Sequence, residues 1–279
     1  MQPSPPLTRD TINSTLATTW LGRRIELFDC LPSTNREAVQ LAQADVEHGT
    51  VVIAESQTAG RGRLSRTWFS PPGVNLYCSI ILRTAHPPER LTEWLSWLPL
   101  VSGLAAAEAI EQVSPIRVSV KWPNDLLISE RKAGGILCES GTGTRSDPFQ
   151  IIGIGINVNG DEEDWPIDLR GSATSIWQER KMVIDRNRLL AQLLLELEHC
   201  LDELATHGTN RLALAYHQRC STIGITVRAT LAGGEVIVGL AEGIGRDGSL
   251  RVRPQAPQPE SGMPEVIHLR VADIIHLRT

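Results

Sequence analysis

Apolar residues recur along this chain in two rhythms, and the rhythm changes after about Ser221. Before that point helical and strand patterns alternate. Leu189, Leu190, Leu193, Leu194, Leu197, Leu201 and Leu204 repeat at three and four residues, which predicts an amphipathic helix over 185–204 with Asp185 as its N-cap. That stripe is core packing rather than a binding face. Ala105, Ala106, Ala107 and Ala109 predict a small-residue helix over 98–113, with Pro99 in its first turn. Thr34 and Glu37 have capping-box spacing ahead of Ala38, Val39, Leu41 and Ala42, so a helix is expected there too. Strands are predicted at 25–28, 51–54, 75–82, 117–120, 126–128, 133–139 and 150–158, the last central because it is apolar on both faces. Beyond Ser221 come short alternating segments at 225–231, 235–240, 250–252 and 266–269, broken by Gly233-Gly234 and Asp247-Gly248. Closely spaced turns of this kind predict a small all-β barrel, with 254–264 as a Pro-rich loop. Residues 1–20, rich in Pro, Ser and Thr, read as a flexible leader with little to bury.

Composition narrows the function classes. A length of 279 residues suits two domains, here 21–220 and 221–279. The 27 basic and 32 acidic side chains leave a net charge of −5, without the basic field of a dedicated nucleic-acid binder. No apolar run approaches a bilayer span, and the N-terminus has no signal-peptide core. Five widely spaced cysteines form no CxxC pair, and the seven histidines show no metal-ligand spacing, which argues against a disulfide framework or a structural metal and fits a reducing cytoplasm. Only three of the 27 basic residues are lysines: Lys121, Lys132 and Lys181. Arg-favouring codon usage explains the total, but not where the lysines lie.

Three segments carry chemistry. Gln57-Thr-Ala-Gly60-Arg61-Gly62-Arg63-Leu-Ser-Arg66-Thr-Trp68 alternates glycines with guanidiniums, so its backbone can approach an anion that the arginines then hold; a solvated basic turn is the plainer alternative. Lys121-Trp-Pro-Asn-Asp125, followed by Lys132-Ala-Gly134-Gly135-Ile-Leu137, sets compact ammonium groups beside paired glycines. These can meet a phosphoryl or carboxylate oxygen, although Lys121 also reads as a surface strand residue, Lys132 as a turn charge, and Asn124 and Asp125 as turn formers. Gly153-Ile-Gly155-Ile-Asn157 opens a strand against which a ligand can lie, or packs closely for structural reasons; it has no dinucleotide-binding register. A phosphate-binding GxxxxGK[ST] loop and a GxSxG elbow are both absent.

In combination these segments, with Ser33-Thr34-Asn35 before them, resemble the biotin–protein ligases in content, order and spacing over about residues 25–279. The resemblance implies an α+β fold: a class II aminoacyl-tRNA synthetase-like catalytic domain with a mixed sheet, plus a small SH3-like C-terminal β barrel. It implies an enzyme that activates biotin with ATP and Mg2+ as biotinyl-5′-AMP, then transfers it to a lysine of a biotin carboxyl carrier protein domain. Lys132, Arg61, Arg63 and Asp125 are the implied catalytic residues. Ser33, Thr34, Asn35, Gln57, Gly60, Arg61, Gly62, Arg63, Trp68, Lys132, Gly135 and Asn157 are the implied substrate contacts, with Trp68 equally readable as core. Some members carry an N-terminal DNA-binding module, which about 20 preceding residues would not supply, so no nucleic-acid partner is expected; a homodimer is compatible. Leu64-Ser65 departs from the Arg-Gly that many members have there. The competing readings are a lipoate- or octanoyl-transferring relative and a non-catalytic biotinyl-AMP-binding regulator.

Overall fold

The structure is a computed structural model that describes residues 4–83, 88–144, 147–231, 233–255, 265–270 and 272–277. Strands β1 (Ile25–Leu31), β2 (Val51–Gln57), β3 (Leu76–Arg83), β4 (Ser119–Lys121), β5 (Asp125–Ile128), β6 (Arg131–Thr142) and β7 (Pro148–Ile156) form one seven-stranded sheet in the order β1-β2-β3-β7-β6-β5-β4. Only β1 and β2 pair in parallel, so the sheet is mixed, and β7 lies at its centre as its apolar run predicts. Helices α1 (Arg9–Thr15), α2 (Thr34–Gln43), α3 (Pro88–Val113), α4 (Ile176–Arg180), α5 (Arg186–His207) and α6 (Asn210–Arg219) surround it.

Period-two alternation divides the core between the sheet's faces. Val51, Ile53, Ile80, Ile152 and Ile154 pack in the large cluster that also holds the α3 and α5 side chains. Their neighbours Val52, Ala54, Ile81 and Ile151 join Ala38 and Ala42 of α2 on the other face. With both faces covered, the central strands are apolar throughout.

Strands β8 (Thr226–Thr230), β9 (Val236–Ile244), β10 (Leu250–Pro254), β11 (Ile267–Leu269) and β12 (Asp273–His276) form a separate antiparallel sheet, ordered β11-β10-β9-β8-β12. Its buried Val227, Ala229, Leu250 and Val252 belong to the large cluster, so the two sheets share one core. Two buried indoles fasten the β9–β10 turn: Trp97 Nε1 donates to the Arg246 carbonyl at 2.7 Å and Trp122 Nε1 to that of Gly248 at 3.0 Å. The predicted loop at 254–264 lies, from residue 256 on, outside the described residues, while Pro254 ends β10.

Four expectations need correction. First, residues 4–20 do bury side chains: Leu7 and Ile12 are in the core, and Thr8 caps α1 through its hydroxyl at 3.2 Å from Thr11 N. The segment's backbone is satisfied by α5. Asn187 accepts from Thr8 N at 3.0 Å and donates to the Pro6 carbonyl at 3.0 Å, while Glu198 accepts from Thr19 N, Trp20 N and Leu21 N at 2.6–2.9 Å. Second, α3 begins ten residues before 98, so Pro99 is internal; burial of Trp94, Trp97 and Leu98 outweighs the roughly 3 kcal/mol that an internal proline costs. Third, Ser33 rather than Thr34 occupies the N-cap of α2, which leaves the Thr34 hydroxyl free for other partners. Fourth, β12 was not expected at all.

The Arg186 guanidinium, 1% exposed, joins these parts by pairing with Glu55 at 2.6 Å and donating to the Asn75 carbonyl at 3.1 Å and the Pro5 carbonyl at 3.4 Å. Removing one member of a buried pair leaves the other uncompensated. Arg186→Ala is expected to lower the unfolding free energy by about 3–5 kcal/mol in a urea titration; a loss under about 1 kcal/mol would show that the N-terminal segment does not depend on it.

Candidate active site

Hairpins and turns at one end of the large sheet enclose a cavity of about 480 Å³. The β1–α2 turn contributes Ser33, Thr34 and Asn35, and β2 contributes Gln57 at its last position. Gln57 Oε1 accepts from Thr34 N at 2.8 Å and from the Thr34 hydroxyl at 3.2 Å, while its Nε2 donates to Ser70 Oγ at 2.9 Å. Asn35 Nδ2 donates to the Leu137 carbonyl at 3.2 Å and to Glu139 at 2.8 Å, and its Oδ1 lies 2.6 Å from Ser79 Oγ. The result is a pre-set polar wall whose members hold one another in place.

Glycines of the paired strands β6 and β7 make the floor. A Cβ on Gly153 would sit 2.0 Å from Asn35 Oδ1, and one on Gly155 would sit 2.8 Å from Trp68 Cε2 and Nε1. Gly135, opposite Gly155 in the register, would place a Cβ 3.3 Å from the same indole. Trp68 therefore lies directly on backbone and forms the cavity's apolar wall. Its Nε1 is buried without a hydrogen-bond partner, aimed at that floor.

The segment after β2 is a small hairpin. Trp68 N donates to the Gly60 carbonyl at 2.9 Å and Gly62 N to that of Arg66 at 2.7 Å. Gly60 does not line the cavity; a Cβ there would meet the Trp68 carbonyl at 2.4 Å, so glycine is what lets the hairpin close. Leu64 and Ser65 hold the tip with φ of 54° and 60°, left-handed values that L side chains rarely adopt. Each arginine has a separate partner. Arg61 meets Glu139 at 3.0 Å; Arg63 donates to Asn124 Oδ1 at 2.9 Å and to the Ala272 carbonyl at 3.3 Å; Arg66 meets Asp273 at 2.5 Å. Burial lowers the proton affinity of Arg63, with Asp125 and Asp273 opposing, and a guanidinium so shifted is still fully charged.

Across the cavity the β4–β5 turn, with a cis Trp122–Pro123 bond, carries Lys121 and Asp125 opposite each other. Asp125 Oδ1 is 2.6 Å from Lys132 Nζ, which also lies 5.5 Å from the centroid of the Trp68 ring. Lys132 is fixed through its backbone: its N donates to Ser172 O at 3.0 Å, and its carbonyl accepts from Thr174 N at 2.8 Å. Asn157 is held by the Thr174 carbonyl at 3.0 Å and presents little surface to the cavity.

Twelve of the thirteen predicted positions thus line one cavity, with Gly60 supporting them from behind. Sequence reasoning missed Arg66, Ala272 and Asp273. The Ile274-Ile275 pair, β-branched and preceding His276, was the one signal for β12, but nothing in it shows that the strand borders the hairpin. Five cationic side chains and two carboxylates line the cavity, together with an indole and bare glycine backbone. Such a site suits a ligand with an apolar body, a polar head and a multiply anionic end.

Known proteins place the fold and the site in context. Residues 27–159 match the biotin/lipoate A/B protein ligase family. The chain is 34% identical over 272 residues to the biotin–[acetyl-CoA-carboxylase] ligase of Mycobacterium tuberculosis, covering 95% of this chain and 97% of that protein. It is 36% identical over 244 residues to the bifunctional ligase/repressor BirA of Bacillus subtilis, covering 88% of this chain and 74% of that one. The structure of the biotin protein ligase from Aquifex aeolicus in complex with biotin and ATP superposes with a TM-score of 0.75 at 26% identity, covering 92% of this chain and all of that one.

The glycine floor makes a direct prediction. Gly153→Ala and Gly155→Ala should each cost about 1–3 kcal/mol in thermal unfolding by overpacking. With 5-fluorotryptophan incorporated, only Gly155→Ala should move the Trp68 resonance. An unmoved resonance would show that Trp68 does not rest on β7.

Proposed function

The chain belongs to the biotin–protein ligases, and from that premise we propose how its residues join biotin to protein at the expense of ATP. The observation that carries the reading is the Lys132–Asp125 pair, 2.6 Å apart, standing between the Trp68–glycine cradle and the arginine hairpin. A bicyclic ligand lies on the cradle, its cyclic urea against Ser33, Thr34, Asn35 and Gln57. Its chain points along Trp68 and Gly135 to bring the carboxylate to Lys132. An urea head both donates and accepts hydrogen bonds, which matches a wall of hydroxyl and amide groups better than the dithiolane of lipoate does.

In the first step a biotin carboxylate oxygen attacks the α-phosphorus of ATP. The bond to the β-phosphate oxygen breaks, and pyrophosphate leaves with its electron pair, giving biotinyl-5′-AMP. Lys132 bridges the carboxylate and the α-phosphate, while Arg61 and Arg63 close over the mixed anhydride, neutralise charge and keep water out. In the second step the amine of the carrier lysine attacks the acyl carbon and AMP leaves. Asp125, released from Lys132 once that ammonium turns to the phosphate, orients the incoming lysine and accepts its proton. Magnesium comes in as part of the nucleotide substrate, held by its phosphates. The acceptor is a biotin carboxyl carrier domain, residues 21–220 with the 4–20 segment packed onto them form the catalytic unit with 221–279 as its C-terminal barrel, and the setting is cytoplasmic, in keeping with five free thiols.

Lys132→Ala should slow biotin-dependent ATP–pyrophosphate exchange by about 100- to 1,000-fold, and near-wild-type exchange would remove Lys132 from the chemistry. Asp125→Asn should slow transfer from preformed biotinyl-AMP, read as covalent biotin on the carrier by mass, more than it slows exchange. Equal losses in the two half-reactions would make Asp125 a structural partner of Lys132 instead.

A further inference from the structure

Lys121 has no part in the steps above, yet it is one of only three lysines in the chain and it faces the cavity. The other four cations there have protein partners: Lys132 has Asp125, Arg61 has Glu139, Arg66 has Asp273, and Arg63 has Asn124 with the Ala272 carbonyl. Among the described residues no carboxylate lies within 4.0 Å of the Lys121 ammonium. Asp125 stands opposite it across the β4–β5 turn but spends its short contact on Lys132, and Asp273 spends its own on Arg66. Burial lowers the proton affinity of Lys121; Asp125 and Asp273 raise it again, and Lys132 and Arg66 add to the depression. A half-buried, unpaired ammonium among other cations is unfavourable until an anion arrives.

Which part of the substrates supplies that anion follows from position. Lys132 stands against Trp68 and Gly135, the end that takes the carboxylate and the α-phosphate. Lys121 stands toward β12, close enough to Arg66 and Asp273 to feel their charge. That is the side on which Arg63 and Arg66 converge, and most of a nucleotide's charge is in its terminal phosphates. We propose that Lys121 is a catalytic residue for the first step only, binding the β- and γ-phosphates and stabilising the negative charge that gathers on pyrophosphate as its bond to the α-phosphorus breaks. No proton moves in this role. The ammonium acts as a fixed charge and hydrogen-bond donor, and it is free again when pyrophosphate departs. This assignment rests on the ligase reading.

The test separates the half-reactions in the full-length protein. Lys121→Met, close in shape and uncharged, should raise the KM for ATP and for pyrophosphate in the exchange assay about 10- to 100-fold. It should weaken calorimetric binding of inorganic pyrophosphate about as much, leave AMP affinity within about threefold, and leave transfer from preformed biotinyl-AMP to the carrier within about threefold. Lys121→Arg should recover much of the pyrophosphate affinity. Unchanged pyrophosphate affinity in Lys121→Met, or transfer slowed as much as exchange, would overturn the assignment. If Lys121→Met fails to fold, Lys121→Arg and Lys121→Gln carry the same comparison, with equal pyrophosphate affinities overturning it. Absence of biotin-dependent exchange in the wild-type protein would instead refute the ligase reading itself.

Discussion

The close approach of side chains to bare backbone on β6 and β7 is the constraint on which the site rests. Asn35 and Trp68 occupy space that a Cβ on Gly153 or Gly155 would take, and Gly135 extends the same opening to the neighbouring strand. A central strand would ordinarily present large side chains on both faces, as β7 does through Ile152, Ile154 and Ile156 toward the large cluster. Glycine weakens a strand through backbone entropy and lost packing. That loss is tolerable here because β7 is paired on both edges from Phe149 to Ile156, and the helices beneath it bury its other face. Rigid support beneath and open backbone above give a precise floor, which a loop could not provide.

Charge follows from that floor. In the proposed binding mode the ligand's apolar body is seated on glycine and indole, so its charged end is delivered to a fixed place, and cations can be arranged around that place in advance. Holding several cations together without a ligand is unfavourable unless they have partners, and the protein supplies those partners singly to all but Lys121: Glu139, Asp125 and Asp273 as carboxylates, Asn124 and a main-chain carbonyl for Arg63. Pairings between partly exposed groups are worth little each. They keep the cavity poised at small cost and can be exchanged for stronger contacts to a phosphate.

What could be read from the sequence, and what could not, divides along the same line. The leucine stripe of α5 and the apolar run of β7 were legible because burial on a fixed period leaves a trace in residue order. The polar and basic segments were legible as one site because a resemblance joined them; individually Lys121, Asp125 and Trp68 each allowed a plainer reading. The start of α3 was hidden by Pro99, whose local preference is overridden by buried tryptophans on either side of one turn. The N-terminal residues looked unpacked because composition counts apolar residues rather than locating them, and Leu7 and Ile12 suffice when α5 supplies the hydrogen bonds. The partnership of Arg66 with Asp273 on β12 is a long-range fact, joining positions 207 residues apart, for which no local pattern exists.

That long-range contact changes what the C-terminal sheet is for. A small appended β unit could be a passive module, but here Ala272, just before β12, supplies the carbonyl that receives Arg63 and β12 the carboxylate that receives Arg66, so the hairpin's geometry is shared property of the two sheets. The attachment is not incidental: Trp97 and Trp122, from α3 and from the turn that bears Asp125, both donate into the β9–β10 turn, and the Trp122 backbone N–H donates to Thr222 Oγ1 at 3.1 Å. The turn that positions Lys121 and Asp125 is therefore tied to the same body that receives the arginines. A rigid-body shift of the small sheet would move the hairpin's partners and the β4–β5 turn together, rather than one against the other. Coupling of this kind holds the glycine-bearing hairpin in a reproducible position, because its docking surface and the groups beside it share one core.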